Sequence, residues 1–142
     1  MKKTLKLLSI IFATALIAFS LSACVKTVVT TNENSVIILA DSSVMTITET
    51  TTLKDYMDKL VEQEKLTFSG SDSDYGIYIT KINGIEATGK TAWMLYTDDA
   101  DNSTPAWGEI TYNEKTYASA NLGCESLVIK EGKTYIWNVT AY

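Results

Sequence analysis

Residues 75–85 read YGIYITKINGI, a short apolar alternation that ends in a tight-turn dipeptide. Ile77 and Ile79 fall on one side of an extended chain and Tyr78 on the other, which is the period-two pattern of a half-buried strand. Asn83-Gly84 follows directly, and both of its residues tolerate the positive φ that a two-residue hairpin turn requires. The stretch therefore predicts a strand that turns back on itself as part of a sheet.

The segment upstream changes period from two to about 3.6 residues. Its apolar positions recur at i, i+4, i+7 and i+8, and they are Leu53, Met57, Leu60 and Val61. Thr52 and Asp55 have the spacing of a capping box at the start of such a helix. The pattern predicts one helix over about 52–65. Because this helix is apolar on one side only, we expect it to lie on a sheet.

Further β-rich runs complete the organisation. Strands are expected at 35–40, 44–50, 91–97 and 134–142, the first two as a hairpin. A second hairpin is expected over 107–118, with Asn113-Glu114 at its tip, and a loop over 69–74. One helix among many strands indicates an α+β fold. The expected architecture is a two-layer domain with one helix packed on a mixed β-sheet.

The N-terminal segment carries an export signal. Lys2, Lys3 and Lys6 precede an uncharged, mostly apolar run of 13 residues over 7–19, which is the arrangement of a secretory signal peptide. The run ends in LSAC, residues 21–24, a pattern that resembles the bacterial lipobox. We therefore expect residues 1–23 to be a lipoprotein signal peptide, Cys24 to be the lipidated N-terminus and residues 24–34 to be a tether, with the start of a strand over 26–30 as an alternative. The alternative is an ordinary signal-peptidase site followed by an incidental cysteine.

Charge and composition exclude several function classes. The chain has no histidine, and its 12 basic residues are all lysine. After removal of residues 1–23, nine lysines face 17 acidic residues, a net charge of −8. Such a surface argues against nucleic acid as a partner. Without histidine, the commonest general base and transition-metal ligand are missing. We expect neither an enzyme nor a metal site. Lysine without arginine is typical of an AT-rich coding bias and suggests a Gram-positive bacterium.

The order of these motifs resembles one known family. YGIYITKINGI over 75–85, AWMLY over 92–96 and KEG over 130–132 before a tryptophan-bearing last strand resemble the transcobalamin-like C-terminal domain family. The resemblance covers roughly residues 44–142, and we assign the domain to 35–142. It implies a β-grasp-like fold, which in vitamin B12 carriers covers one side of a bound cobalamin. The chain lacks the carriers' α/α barrel and carries a longer insert at about 98–124.

These features predict a membrane-anchored extracytoplasmic lipoprotein of the cell surface. We expect it to bind a soluble ligand, with cobalamin or a related corrinoid as the candidate, for delivery to a transporter. No cofactor is expected beyond that ligand. The alternative is a cell-surface module that contacts protein or glycan and has no small-molecule pocket.

Aromatic residues of the second half supply the candidate site. Trp107 lies beside Pro105 and Gly108 in the insert, and we expect it to contact the ligand together with Tyr96, Tyr112 and Asn102. Trp93 and Trp137 are interpreted as sheet and core residues. The oxygen donors at 98–103 fail the spacing of an EF-hand loop, so a solvated acidic loop is favoured over a calcium site.

Overall fold

The computed structural model describes residues 26–142, so the predicted signal peptide (1–23) and the lipidation site Cys24 lie outside the described residues. The one α-helix of this region is α1 (Leu53–Glu62), and a 3-10 turn spans Ala100–Asn102. The strands are β1 (Val29–Thr31), β2 (Ser35–Leu39), β3 (Phe68–Ser73), β4 (Gly76–Ile82), β5 (Ile85–Glu86), β6 (Thr91–Thr97), β7 (Ser103–Tyr112), β8 (Lys115–Ala120) and β9 (Thr134–Ala141). Within residues 26–142, no helix has the length and apolar character needed to cross a membrane.

The strands form two sheets. The larger has the order β1-β2-β9-β6-β8-β7 and the smaller the order β3-β4-β5. Every pair of neighbouring strands in the described region is antiparallel. The α+β class is therefore confirmed, whereas the expected mixed sheet is wrong. The turns Asn83-Gly84 (φ +48° and +81°) and Asn113-Glu114 (φ +47° and +63°) account for the antiparallel pairs β4/β5 and β7/β8, because tight turns join antiparallel strands.

Helix α1 begins with the capping box that the sequence predicts. The Asp55 N–H donates to Thr52 Oγ1 at 3.2 Å, and the Thr52 N–H donates to Asp55 Oδ2 at 3.0 Å. Leu53, Met57 and Leu60 are fully buried, as predicted, and Tyr56 is buried beside them. The prediction for Val61 is wrong, because this residue is 40% exposed. The buried face of the helix runs through Leu53, Tyr56, Met57 and Leu60, and Val61 lies outside it.

Two other expectations are corrected. Residues 44–50 form no strand and therefore no hairpin with β2, which pairs instead with β1 and β9. The local reason is that Thr48 and Thr51 bond to each other and to nearby backbone, which competes with a strand ladder. Residues 69–74 fall mostly in β3, since pairing with β4 overrides their polar composition. Within the predicted tether, residues 29–31 form the edge strand β1, which agrees with the alternative of a strand that starts in this segment.

One hydrophobic core joins the helix to both sheets. It contains α1 residues, Ile79 and Ile82 of β4, and inward residues of the large sheet such as Tyr135 and Trp137. A second, smaller cluster covers the other face of the large sheet and consists of Ile37, Tyr96, Tyr117 and Ile136, with Ile110 and Tyr112 at its border. The large sheet therefore has a deep core on one face and a thin aromatic layer on the other.

Candidate functional site: a tryptophan-lined groove

An open groove of about 430 Å³ lies between β4 and β6. It is lined by 77–79 of β4, 93–95 of β6, Trp107 of β7, 119–124 of β8 and the following loop, and Trp137 of β9. We call this surface the tryptophan groove, because it contains all three tryptophans of the chain. Its lining includes no charged residue. The volume is within the range of small-molecule sites, about 300–1,000 Å³.

Strand alternation places the walls of the groove. On β6, Trp93 and Leu95 turn into the core, while Met94 turns outward and stays exposed. Ile79 is likewise buried in β4, and Tyr78 is exposed. The groove therefore combines a buried apolar base with exposed apolar side chains at its rim, a combination typical of ligand or partner surfaces.

A β-bulge directs Trp107 to this groove. The pairing of β7 with β8 jumps from Thr104 to Glu109, and Gly108 within the jump has φ +123°. Only glycine adopts this conformation readily, so the extra residues leave the ladder and re-aim a side chain. Trp107 is 66% exposed and lines the groove. This exposure distinguishes Trp107 from Trp93 and Trp137, which are buried.

Trp93 and Trp137 carry buried donors without acceptors. Each residue is only 5% exposed, and neither indole N–H has a hydrogen-bond partner among the described residues. A buried N–H without an acceptor costs about 1–3 kcal/mol. Both residues belong to the groove lining. A bound group that supplied acceptors at the base of the groove would remove this cost, which makes these indoles candidate binding groups.

Cys124 is a buried residue of the groove lining and forms no disulfide within residues 26–142. Burial, reinforced by the nearby Glu125 carboxylate, raises the pKa of its thiol to about 11. The thiol is therefore protonated at neutral pH and unreactive, in line with a packing role.

The structure does not bring the four predicted ligand residues together. Trp107 lies in the groove, at the place where the insert 98–124 meets the β6 edge. Tyr96 belongs to the cluster on the face of the large sheet that is turned away from the main core, Tyr112 borders that cluster, and neither residue lines the groove. The Asn102 side chain donates to Asp99 Oδ2 at 2.8 Å and so holds a turn. The four residues therefore do not line one surface, because neighbouring strand positions alternate between the two faces of the sheet.

The acidic loop that precedes β7 is an ion-paired turn. Asp99 is almost fully buried and accepts hydrogen bonds from Lys130 at 2.9 Å, Asn102 at 2.8 Å and the Asp101 N–H at 3.2 Å. Lys115 pairs with Asp98 at 2.6 Å. Burial acts to raise the pKa values of both Asp98 and Asp99, but these bonds outweigh it and lower them. Over the described residues, no group of three or more acidic or cysteine side chains could hold a metal ion.

Comparison with known proteins adds no relative. No protein-family profile matches the chain, and no curated protein matches it. The resemblance to the transcobalamin-like domains therefore stays a prediction. The functional argument rests on the geometry of the tryptophan groove.

Proposed function

We propose that this protein is a lipid-anchored extracytoplasmic lipoprotein that binds a soluble ligand in the tryptophan groove. The β-grasp-like interpretation of the fold is part of this proposal, and a single helix packed against β-sheet supports it. The lipid on Cys24 holds the domain at the cell membrane, where a transporter or another surface protein receives the ligand. The chain acts as a binding protein and not as an enzyme.

One observation carries the binding function: exposed apolar side chains and buried unpaired donors meet in one groove. Trp107, Met94 and Leu122 expose large apolar surfaces there. The indole N–H groups of Trp93 and Trp137 lack acceptors in the described residues. A ligand with an apolar face and hydrogen-bond acceptors fits both features, since stacking buries the face and the acceptors satisfy the donors.

Cobalamin or a related corrinoid is the first ligand to test. A corrin ring is broad and apolar, and amide oxygens surround it as acceptors. We expect an open groove of about 430 Å³ to cover only one face of such a ring. Because the other face stays in water, the affinity expected is modest, near a Kd of about 1 μM, which corresponds to about −8 kcal/mol.

Calorimetry with cobalamin and cobinamide tests this ligand. The protein is the chain from residue 24 onward with Cys24→Ser, which contains the whole described fold. Trp107→Ala should weaken binding about tenfold or more, because it removes the largest exposed aromatic surface of the groove. Tyr112→Ala is the matched control on the opposite face and should leave the affinity unchanged.

Absence of heat at about 100 μM of either corrinoid, roughly 100 times the expected Kd, contradicts the corrinoid as ligand. Binding that Trp107→Ala does not alter contradicts the groove as the site.

The anchor is tested separately. Mass spectrometry of protein extracted from membranes should show a diacylglyceryl group on an N-terminal Cys24, and Cys24→Ala should abolish it. Two acyl chains are needed because a single chain binds a membrane only marginally. A mature protein that begins at another residue and carries no lipid contradicts the anchor.

A module that binds protein is the second candidate function. The specific observation in its favour is that strands β4 and β6 border the groove with edges that other strands leave unpaired within residues 26–142. Such edges bind polypeptide through the backbone.

A further inference from the structure

The hydrogen-bond pattern of the large sheet determines which backbone groups border the groove. The Val139 N–H donates to the Asn34 carbonyl oxygen at 2.8 Å, on the β2 side of β9. In an antiparallel ladder the residues alternate, so Trp137 also turns its backbone toward β2, while Asn138 and Thr140 turn toward β6. Asn138 lies opposite Met94, and Thr140 lies opposite Ala92. Met94 and Ala92 are therefore the β6 residues bonded to β9.

The intervening residues of β6 point the other way. Trp93 and Leu95 direct their backbone N–H and C=O groups away from β9. On that side, β8 pairs only with Tyr96 and Thr97. Across the described chain, no strand pairs with the β6 edge from Thr91 to Leu95, a length of about 17 Å. Trp93 and Leu95 both line the groove.

The β4 edge across the groove also has backbone groups that no strand pairs with. Ile77 lies opposite Asp72 of β3, yet its N–H donates to the Glu125 carboxylate at 3.2 Å. Its N–H therefore points away from β3, and Ile79, two residues on in the same register, points the same way. Strand β5 pairs only with Lys81 and Ile82. The Glu125 side chain thus occupies the position at which a neighbouring strand would place a carbonyl oxygen.

Charge and side-chain chemistry define what fits between these edges. The groove lining is uncharged and mostly apolar. Acidic residues lie near the β4 end: Glu125 at the Ile77 N–H, and Asp72 and Asp74 on the adjoining β3 hairpin. The chain beyond residue 23 has a net charge of −8. An extended peptide with alternating apolar residues and a basic residue at its end complements both the groove and its rim.

We propose that the tryptophan groove binds an extended, lysine-flanked apolar segment of a partner protein, which pairs as an added strand with the open edge of β6. This rests on the proposed function in one respect, namely that the groove is the binding site, and it names a polypeptide as the ligand class. The peptide carbonyl groups satisfy the edge N–H groups of Trp93 and Leu95. Its inward side chains pack on the buried base of the groove.

The test uses a synthetic peptide of alternating valine and threonine with a lysine at each end, and the chain from residue 24 with Cys24→Ser. Residue-resolved amide hydrogen exchange by NMR measures the pairing. At a peptide concentration of about 100 times its Kd, about one protein molecule in 100 has no peptide bound. If the edge amides of Trp93 and Leu95 exchange only in these molecules, their exchange should slow by up to about 100-fold. The amides of Ala92 and Met94 are controls on the same strand, because they are already bonded to β9.

A second peptide separates backbone pairing from simple apolar adhesion. It has the same sequence, with N-methyl groups on the alternate amides that would face β6, so it keeps its side chains and loses its donors. We expect it to bind at least tenfold more weakly. Equal binding of both peptides, or unchanged exchange at Trp93 and Leu95 with the first peptide bound, overturns the proposal.

A fluorescence titration of the same protein with the peptide and with cobinamide distinguishes strand binding from corrinoid binding. All three tryptophans line the groove, so intrinsic tryptophan fluorescence reports on its occupancy. A response to cobinamide without a response to the peptide overturns the strand proposal and leaves the proposed function standing. A response to the peptide alone, with edge-amide protection, supports the strand and contradicts the corrinoid. Trp107→Ala should weaken whichever ligand binds.

Discussion

At the scale of single residues, Asp99 is the buried charge on which the insert depends. Its carboxylate accepts from Lys130, Asn102 and the Asp101 N–H, and its own N–H donates to Thr97 Oγ1 at 3.1 Å. These bonds connect the turn before β7 to the segment that leads into β9. Removing the charge leaves buried donors poorly satisfied, at about 1–3 kcal/mol for such a loss. We expect Asp99→Asn to lower the free energy of unfolding at pH 7 by about 2 kcal/mol, measured by urea denaturation.

The pH dependence of that loss follows from the sign of the pKa shift. The folded-state pKa of Asp99 is below its ordinary value, so its carboxylate stabilises the fold above the unfolded pKa of about 3.9. This contribution is lost as the pH falls through that value toward the lower folded pKa. The difference between wild type and Asp99→Asn should therefore shrink between pH 7 and pH 3. Asp58→Asn, which breaks only the exposed pair with Lys54, should change stability by a few tenths of a kcal/mol. An equal difference at both pH values would mean that the Asp99 charge is not responsible.

At the scale of elements, helix α1 contributes through one face. Leu60 is fully buried in the main core, whereas the adjacent Val61 is 40% exposed. Leu60→Ala should cost about 2–5 kcal/mol in urea denaturation, because it removes buried apolar surface and leaves a cavity. Val61→Ala is the matched control one position on, and we expect a change within about 0.5 kcal/mol. If the two variants lose the same stability, the buried face of α1 is wrongly assigned.

The elements that sequence reasoning predicts are those whose signals are local. The Thr52 and Asp55 capping pair and the Asn83-Gly84 and Asn113-Glu114 turns depend on neighbours within a few residues, and the structure confirms each of them. Strand β3 escapes prediction because its Ser-Gly-Asp composition favours a loop, and only pairing with β4 makes it extended. Gly70, at the bulge of β3, also depends on the pairing with β4, because a Cβ there would lie 2.4 Å from the Tyr78 carbonyl oxygen.

At the scale of the whole molecule, the groove also combines features that local sequence signals predict with features that depend on the three-dimensional fold. The sequence places Trp107 in a loop beside Pro105 and Gly108, whereas the structure places it on strand β7, where it lines the groove. The exclusion of Tyr96 and Tyr112 depends on which face of the large sheet is deeply covered. That choice is made by α1 and β4, far away in sequence, so a local pattern does not supply it. The unpaired indole donors of Trp93 and Trp137 are likewise visible only in three dimensions.

Because one core joins both sheets to the helix, the domain should unfold as a single unit. Ile82 of the small sheet packs in the same cluster as Leu60 of α1 and Trp137 of the large sheet. Far-UV circular dichroism follows backbone structure throughout the domain, including α1, whereas tryptophan fluorescence follows the large sheet, which contains every tryptophan. The two thermal transitions should coincide. Ile82→Ala should lower both midpoints equally, since removing core volume from the small sheet destabilises the common core by about 2–5 kcal/mol. A fluorescence midpoint that stays in place while the dichroism midpoint falls would show that the small sheet unfolds alone. The groove between the sheets would then lose its β4 wall before the rest of the domain.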